Sequence, residues 1–244
     1  MYFGGGKMLD ELGINGFVME QDEKYLKLGT DAMILSEFAH IKKNDRVCDL
    51  GCGAGAVSIL LAARHEDIEL CGVEIVEGAA KLCRRNIAHN NIGDRMAVYR
   101  EDLKNVRSLF SAGSFDAVVS NPPFMQVGGG IHTGSEELLI ARMEICCTID
   151  DVCDAASYLL KFGGSFSFVH RPARLVDLFS AMSKHNLAPK RMRLVQDTVM
   201  AEPSLVLIEA RKGGKSGIKN MPALIIKNPD GSESEETKRI YRRK

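Results

Sequence analysis

The chain has 244 residues, is 45% hydrophobic and 26% charged, and carries no formal net charge. These values exclude a wholly disordered chain, a collagen-like fibre and a disulfide-stapled miniprotein, and they leave room for a sizeable core. No apolar run approaches the roughly 20 residues that span a bilayer, and Met1–Leu12 lacks a signal-peptide core, so the expected location is the cytoplasm. The glycine-rich Met1–Gly16 shows little apolar periodicity. Strand-like and helix-like patterns then alternate from about residue 30 to about residue 210. Arg46–Leu50 predicts a strand and Ala56–Arg64 a helix. Glu69–Ile75 predicts a strand and Glu77–Asn91 a helix, with Met96–Arg100, Phe115–Ser120 and Gly164–His170 continuing the strand series. Glu136–Lys161 reads as a long helix broken near Thr148–Asp150. Pro172 suits the first turn of a helix over Ala173–His185. Arg191–Gln196 and Leu205–Arg211 read as late strands. Gly213–Gly217 looks like a hinge, Asn228–Gly231 a turn, and Ser232–Lys244 a charged close, with Lys238–Lys244 read as a solvated tail. Such alternation predicts an α/β fold with a doubly wound, mostly parallel sheet covered by helices on both faces.

The zero net charge is a sum of opposites. Residues 1–169 hold 16 Lys/Arg against 24 Asp/Glu, whereas residues 170–244 hold 16 against 8. A basic last third offers positive charge to a polyanion such as nucleic acid, or simply to water. Cysteines at 48, 52, 71, 83, 146, 147 and 153 form no CxxC pair and no metal-ligand spacing. They read as reduced core thiols. The six histidines, His170 among them, are dispersed and read as surface or core residues.

Two motifs carry the chemistry. Asp49-Leu-Gly-Cys-Gly-Ala-Gly55 follows a strand and opens a helix, and Gly51, Gly53 and Gly55 let backbone turn tightly against a ligand. Glu74 closes the next strand, where nucleotide-binding sheets place a carboxylate for ribose hydroxyls. Asp102, just past the third strand, is placed to contact an adenine ring. A dinucleotide and S-adenosylmethionine both fit such a frame. The G-x-G-x-G spacing behind Asp49 departs from the dinucleotide G-x-G-x-x-G and resembles the first motif of the S-adenosylmethionine-dependent methyltransferases. The second motif, Asn121-Pro-Pro-Phe124, ends a strand. Two prolines without N–H groups force the chain out of the sheet at its carboxyl edge. The Asn121 side-chain carbonyl and the Pro122 carbonyl supply two acceptors for an exocyclic amine. Phe124 offers a flat face for a planar substrate.

Together these residues resemble the amino-group methyltransferases. Leu28-Gly-Thr-Asp-Ala-Met-Ile-Leu35, Ala141-Arg-Met-Glu144 and Ala201-Glu-Pro-Ser-Leu-Val-Leu-Ile-Glu209 extend the likeness, from about Leu9 to Arg242, to the bacterial tRNA1(Val) adenine-37 N6-methyltransferase family. Phe124 stands where that family commonly has Tyr, and Met143 where it often has His. The resemblance implies a seven-stranded, Rossmann-like class I methyltransferase sheet in one domain over 29–212. Extensions over 1–28 and 213–244 flank it, the latter basic. It implies S-adenosylmethionine as methyl donor, S-adenosylhomocysteine as product and no metal. The cofactor set is Thr30, Asp31, Asp49, Gly51, Gly53, Gly55, Glu74, Ile75, Asp102 and Asn121, and the catalytic set is Asn121, Pro122 and Phe124. The expected substrate is an adenine amine in a tRNA anticodon loop, bound by a monomer without a membrane or protein partner. Expected phosphate contacts are Arg171, Arg174, Lys190, Arg191, Arg193, Arg211, Lys212 and Lys215. The same motifs fit a protein glutamine, a guanine amine in ribosomal RNA or an adenine in DNA. A non-catalytic cofactor- and RNA-binding module is the alternative from another class.

Overall fold

Period-two alternation along the strands gives the sheet of this computed structural model two apolar faces. In β3 (Arg46–Leu50) Val47 faces one cluster while Cys48 and Leu50 face the other; in β6 (Phe115–Ser120) Ala117 and Val119 oppose Val118. The structure describes residues 8–22, 25, 28–122 and 147–242. Around β3 and β6 the chain runs in the order β1 (Met8–Glu11), β2 (Val18–Gln21), α1 (Thr30–Phe38), β3, α2 (Ala56–Arg64), β4 (Glu69–Glu74), α3 (Glu77–His89) and β5 (Met96–Arg100). A 3-10 turn and the short α4 (Val106–Leu109) lead into β6. Then follow α5 (Ile149–Leu159), β7 (Leu160–His170), α6 (Leu175–Lys184), β8 (Leu187–Gln196), β9 (Leu205–Lys212), β10 (Lys219–Asn220), β11 (Leu224–Ile225) and α7 (Glu235–Tyr241).

The sheet order is β10-β8-β9-β7-β6-β3-β4-β5, with β11 also on β8. Strands β5, β4, β3, β6 and β7 are mutually parallel, whereas β9 runs antiparallel between β7 and β8. Seven strands match the expected sheet, and the two-residue β10 and β11 extend it to nine. Residues of α1, α2 and α3 pack on one face with Leu12, Ile14 and Met19; residues of α5 and α6 pack on the other. The sheet is doubly wound, and the strand order reverses between β3 and β6, the place where open α/β sheets bind ligands.

The predicted strands Arg46–Leu50, Met96–Arg100 and Phe115–Ser120 and the helix Ala56–Arg64 coincide with the observed elements. Others shift. Strand β7 starts at Leu160, so Leu160 and Lys161 are strand and not helix. Gly163, at φ 78°, absorbs the register shift opposite Phe115 and Ala117. Of the long helix expected over Glu136–Lys161, residues up to 146 lie outside the described residues, as do Phe124 and Ala141–Glu144. Pro172 opens a 3-10 turn, and α6 begins at Leu175. Strand β8 starts four residues early and contains Pro189, at a second register shift against β9.

A hairpin and a C-terminal helix are among the elements that were not expected. The β1–β2 hairpin is held by side chains of α3: the Glu20 N–H donates to Asn86 Oδ1 at 2.7 Å and the Val18 N–H to Asn90 Oδ1 at 2.9 Å. Helix α7 replaces much of the expected solvated tail. Ser234 caps it, Ile240 is buried, and Arg64 Nη2 donates to the Ile240 carbonyl at 2.8 Å. Leu224 of β11 and Ile240 join the same core as Met19 and Leu35.

Candidate active site

Five parallel strands end at one edge, and the motif residues sit on those ends. After β3 the chain must turn at once into α2. Gly51, Gly53 and Gly55 do this with φ of 71°, 57° and 90°, a region that side chains disfavour. A Cβ at Gly51 or Gly53 would meet nothing within 4 Å among the described residues, so these leave open space above the loop. A Cβ at Gly55 would come 2.7 Å from Cys83 Sγ, because that turn packs down on α3.

Glu74 closes β4 and is buried. Its Oε2 accepts from the Gly53 N–H at 2.8 Å and its Oε1 from the Val76 N–H at 2.7 Å. Burial raises its carboxyl above the ordinary range, and those amides oppose the rise. Each carboxylate oxygen has a second lone pair for a hydroxyl. Ile75 beside it is 44% exposed, an apolar surface at the ligand edge. Asp102 follows β5 and caps the next turn, its side chain accepting from the Lys104 N–H at 3.0 Å. Asp49 lies beneath the loop, buried, with Ser58 Oγ donating to its Oδ2 at 2.6 Å. Desolvation pushes its carboxyl up to about 7, against the Ser58 hydrogen bond. It supports the loop from inside the sheet.

At the end of β6, Ser120 Oγ donates to the Leu50 carbonyl at 2.8 Å and pins this strand end to the start of the glycine loop. Asn121 follows. Its Nδ2 donates to Asp31 Oδ2 on the first turn of α1 at 3.0 Å. Its Oδ1 is buried and has no hydrogen-bond partner among the described residues. An unpartnered buried acceptor costs about 1–3 kcal/mol, and a ligand amine is the group that would satisfy it. Thr30, next to Asp31, accepts from Tyr241 Oη at 2.8 Å.

Pro122 lines a cavity of about 140 Å³ together with Thr148, Ile149, Phe168, His170 and Arg174; a void of about 150 Å³ accommodates a benzene ring. His170 ends β7 and stacks on Phe168, with ring centroids 5.7 Å apart and planes 20° apart. Its Nδ1 accepts from the Arg171 N–H at 2.8 Å, which places the ring proton on Nε2. Burial and the nearby Arg174 push its pKa down to about 4, so the imidazole is neutral at pH 7. Sequence reasoning passed over His170 as a packing residue. The available signal was its place at the carboxyl end of the strand beside Asn121.

The expected phosphate contacts separate. Arg171 and Arg174 flank the carboxyl end of β7, at the same edge as Asn121. Arg191 Nη2 lies 2.6 Å from Glu209, its guanidinium rests over the Phe38 ring, and Arg193 forks onto Glu236 at 2.9 and 2.7 Å. Arg211 pairs with Glu209 and Lys212 Nζ reaches the Leu160 carbonyl, both at the opposite edge, where Lys190 bonds the Lys215 carbonyl. The structure does not bring these six to the site.

Phe124 lies outside the described residues. Cysteines 48, 52, 71, 83 and 153 are buried free thiols, and Cys147 is half-buried. Among the described residues no helix is long and apolar enough to cross a membrane.

The tRNA1(Val) (adenine(37)-N6)-methyltransferase of Dickeya chrysanthemi (strain Ech1591) is 28% identical over 220 residues, which cover 88% of this chain and 85% of that protein. The protein of the same name from Bacteroides thetaiotaomicron is 29% identical over 230 residues, 93% of each chain. Among solved structures, a predicted O-methyltransferase from Agrobacterium tumefaciens matches with a TM-score of 0.73 at 21% identity, over 87% of this chain and 96% of that one, a likeness of fold. A family model described as the methyltransferase small domain matches residues 23–174, which include the glycine loop, Glu74 and Asn121. With the match covering more than half of the sequence and both motifs at one sheet edge, the chain belongs to the methyltransferase small domain family.

Proposed function

We propose that this chain transfers a methyl group from S-adenosylmethionine to the N6 amine of an adenine in tRNA, the adenine at position 37 of tRNA1(Val). The observation that carries this reading is Asn121 Oδ1, a buried acceptor with no partner among the described residues, set beside Pro122 and an aromatic-walled cavity. The names and coverage of the curated relatives support the choice of substrate. A tRNA substrate places the activity in the cytoplasm.

The glycine loop and Glu74 fit the cofactor. Gly51 and Gly53 leave room for its amino-acid end, Glu74 offers two oxygens to ribose hydroxyls, and Ile75 and Asp102 flank the base. When bound, S-adenosylmethionine would supply an electrophilic methyl carbon with S-adenosylhomocysteine as leaving group, and the methylated nitrogen would give one proton to water. The chain's own residues prepare the nucleophile. An aromatic amine is weak because its lone pair is delocalised into the ring. Asn121 Oδ1 and the Pro122 carbonyl hold its two hydrogens and favour a pyramidal nitrogen. Their dipoles then stabilise the positive charge that develops there. Phe168 and His170 wall the base pocket. Holding the nitrogen at about 3–3.5 Å from the methyl carbon supplies much of the remaining acceleration. Arg171 and Arg174 provide the phosphate contacts nearest the reaction.

Asn121→Ala tests this. It deletes the amine acceptor and spares the glycine loop, so cofactor affinity by calorimetry stays near wild type. Single-turnover methyl transfer to tRNA falls about 10²–10³-fold. Near-wild-type turnover would refute the assigned role.

A further inference from the structure

Asn121 has two chemically opposite ends, and only one of them serves an amine. Rotating the amide by 180° would put Nδ2, a double donor, where Oδ1 must accept. Something has to choose between the two orientations. We propose that Asp31 is the positioning residue that makes this choice and holds the Asn121 amide in its amine-accepting orientation. The inference rests on the methyl-transfer reading above.

An ionised carboxylate only accepts hydrogen bonds, so it binds the NH₂ end of the amide and repels the oxygen end. Asp31 Oδ2 takes the Nδ2 hydrogen at 3.0 Å, and Oδ1 is thereby the end left buried and, among the described residues, unpartnered. The two residues are 90 positions apart and meet because α1 begins where β6 ends. Asp31 is itself constrained. Its Oδ1 lies over Gly29, the N-cap of α1, where a Cβ would overlap it. The neighbouring Thr30 is tied to Tyr241 of α7. A charge-assisted bond at Nδ2 also polarises the amide and makes Oδ1 a stronger acceptor. An Asp in a first helical turn is otherwise explained by the helix dipole, worth about 0.3–1 kcal/mol of stability, or by the cofactor set in which the resemblance places it. Neither explanation gives Asp31 an influence on the Asn121 amide.

Asp31→Asn is isosteric and lacks the acceptor-only character: its amide binds Asn121 in either orientation. Gly29→Ala displaces the carboxylate and leaves Asp31 itself unchanged. For both we expect kcat on tRNA to fall about tenfold or more, with the tRNA KM and the cofactor Kd within about threefold of wild type. A second measurement reads the orientation directly. Wild type should bind an anticodon stem-loop carrying adenine at the target position severalfold more tightly than the same stem-loop carrying purine, which lacks the amine. In the variants that preference should collapse towards unity. If Asp31→Asn keeps wild-type kcat and amine preference, Asp31 serves the helix dipole alone and the proposal fails. Cofactor Kd rising in step with the loss of kcat would make Asp31 a cofactor ligand and would also overturn it. A wild-type protein that forms no N6-methyladenine in tRNA would instead refute the methyl-transfer reading, whatever the variants do.

Discussion

Asp49→Asn isolates the energetic burden of a carboxylate placed beneath the glycine loop. Asp49 is about 1% exposed, with Ser58 Oγ at 2.6 Å, and its pKa stands at about 7 against an ordinary 3.8. The folded protein therefore retains a proton that the unfolded chain loses above 3.8. Its contribution to stability is fully present below that pH and declines as pH rises towards 7. At about 1.4 kcal/mol per pH unit the ceiling is about 4 kcal/mol, and local relaxation brings a realistic figure to about 1–2 kcal/mol. Asparagine accepts the same Ser58 hydrogen bond and cannot ionise. The variant should match wild type near pH 4 and exceed it by about 1–2 kcal/mol at pH 7.5, or roughly 2–8 °C in Tm for a chain of this length. His170 acts with the opposite sign: its pKa of about 4 lies below an ordinary 6.5, so its contribution is lost as pH falls through that interval. Wild-type stability alone would blur the two, whereas the difference between variant and wild type removes His170. Urea titrations of both proteins at half-unit steps from pH 4 to 7.5 give that difference. A difference flat in pH, or an Asp49→Asn protein weaker than wild type at pH 7.5, would refute the reasoning.

Gly55→Ala should destabilise the fold by about 1–3 kcal/mol, because φ is 90° and the new Cβ meets Cys83 Sγ; thermal unfolding reads this, and an unchanged Tm would contradict it. Glu74→Gln puts an NH₂ group against the Gly53 or Val76 N–H and should weaken cofactor binding about tenfold or more by calorimetry. Unchanged affinity would remove Glu74 from the site. Charge reversal at Arg171 and Arg174 should raise the tRNA Kd and flatten its salt dependence by roughly 0.7 in log–log slope per lost contact. An unaltered slope would place the RNA surface elsewhere.

The site was legible where local chemistry forces geometry. Three glycines at positive φ, a strand-ending Glu74 and a Pro-Pro break each dictate their own backbone, so a single sequence exposes them. Contacts between distant segments left no such mark. The β1–β2 hairpin depends on Asn86 and Asn90 of α3, and β10 and β11 are two-residue strands that exist because β8 offers a free edge. The charge count shows the basic last third but not that Arg191 and Arg211 share Glu209 and that Arg193 pairs with Glu236. His170 is a buried, stacked residue as expected, but its place on the cavity wall beside Pro122 comes from strand adjacency, which appears only once β7 is paired with β6.

The Tyr241–Thr30 hydrogen bond closes a loop of 211 residues. On a ribosome adding about 5–20 residues per second, the brace on α1 therefore arrives roughly 10–40 s after α1 itself. The sheet, the glycine loop and Asn121 all emerge before it. By the end of that interval the nascent chain holds its binding surfaces but still lacks the far anchor beside Asp31. Translation thus orders assembly so that the first turn of α1 leaves the exit tunnel well before the residue that locks it.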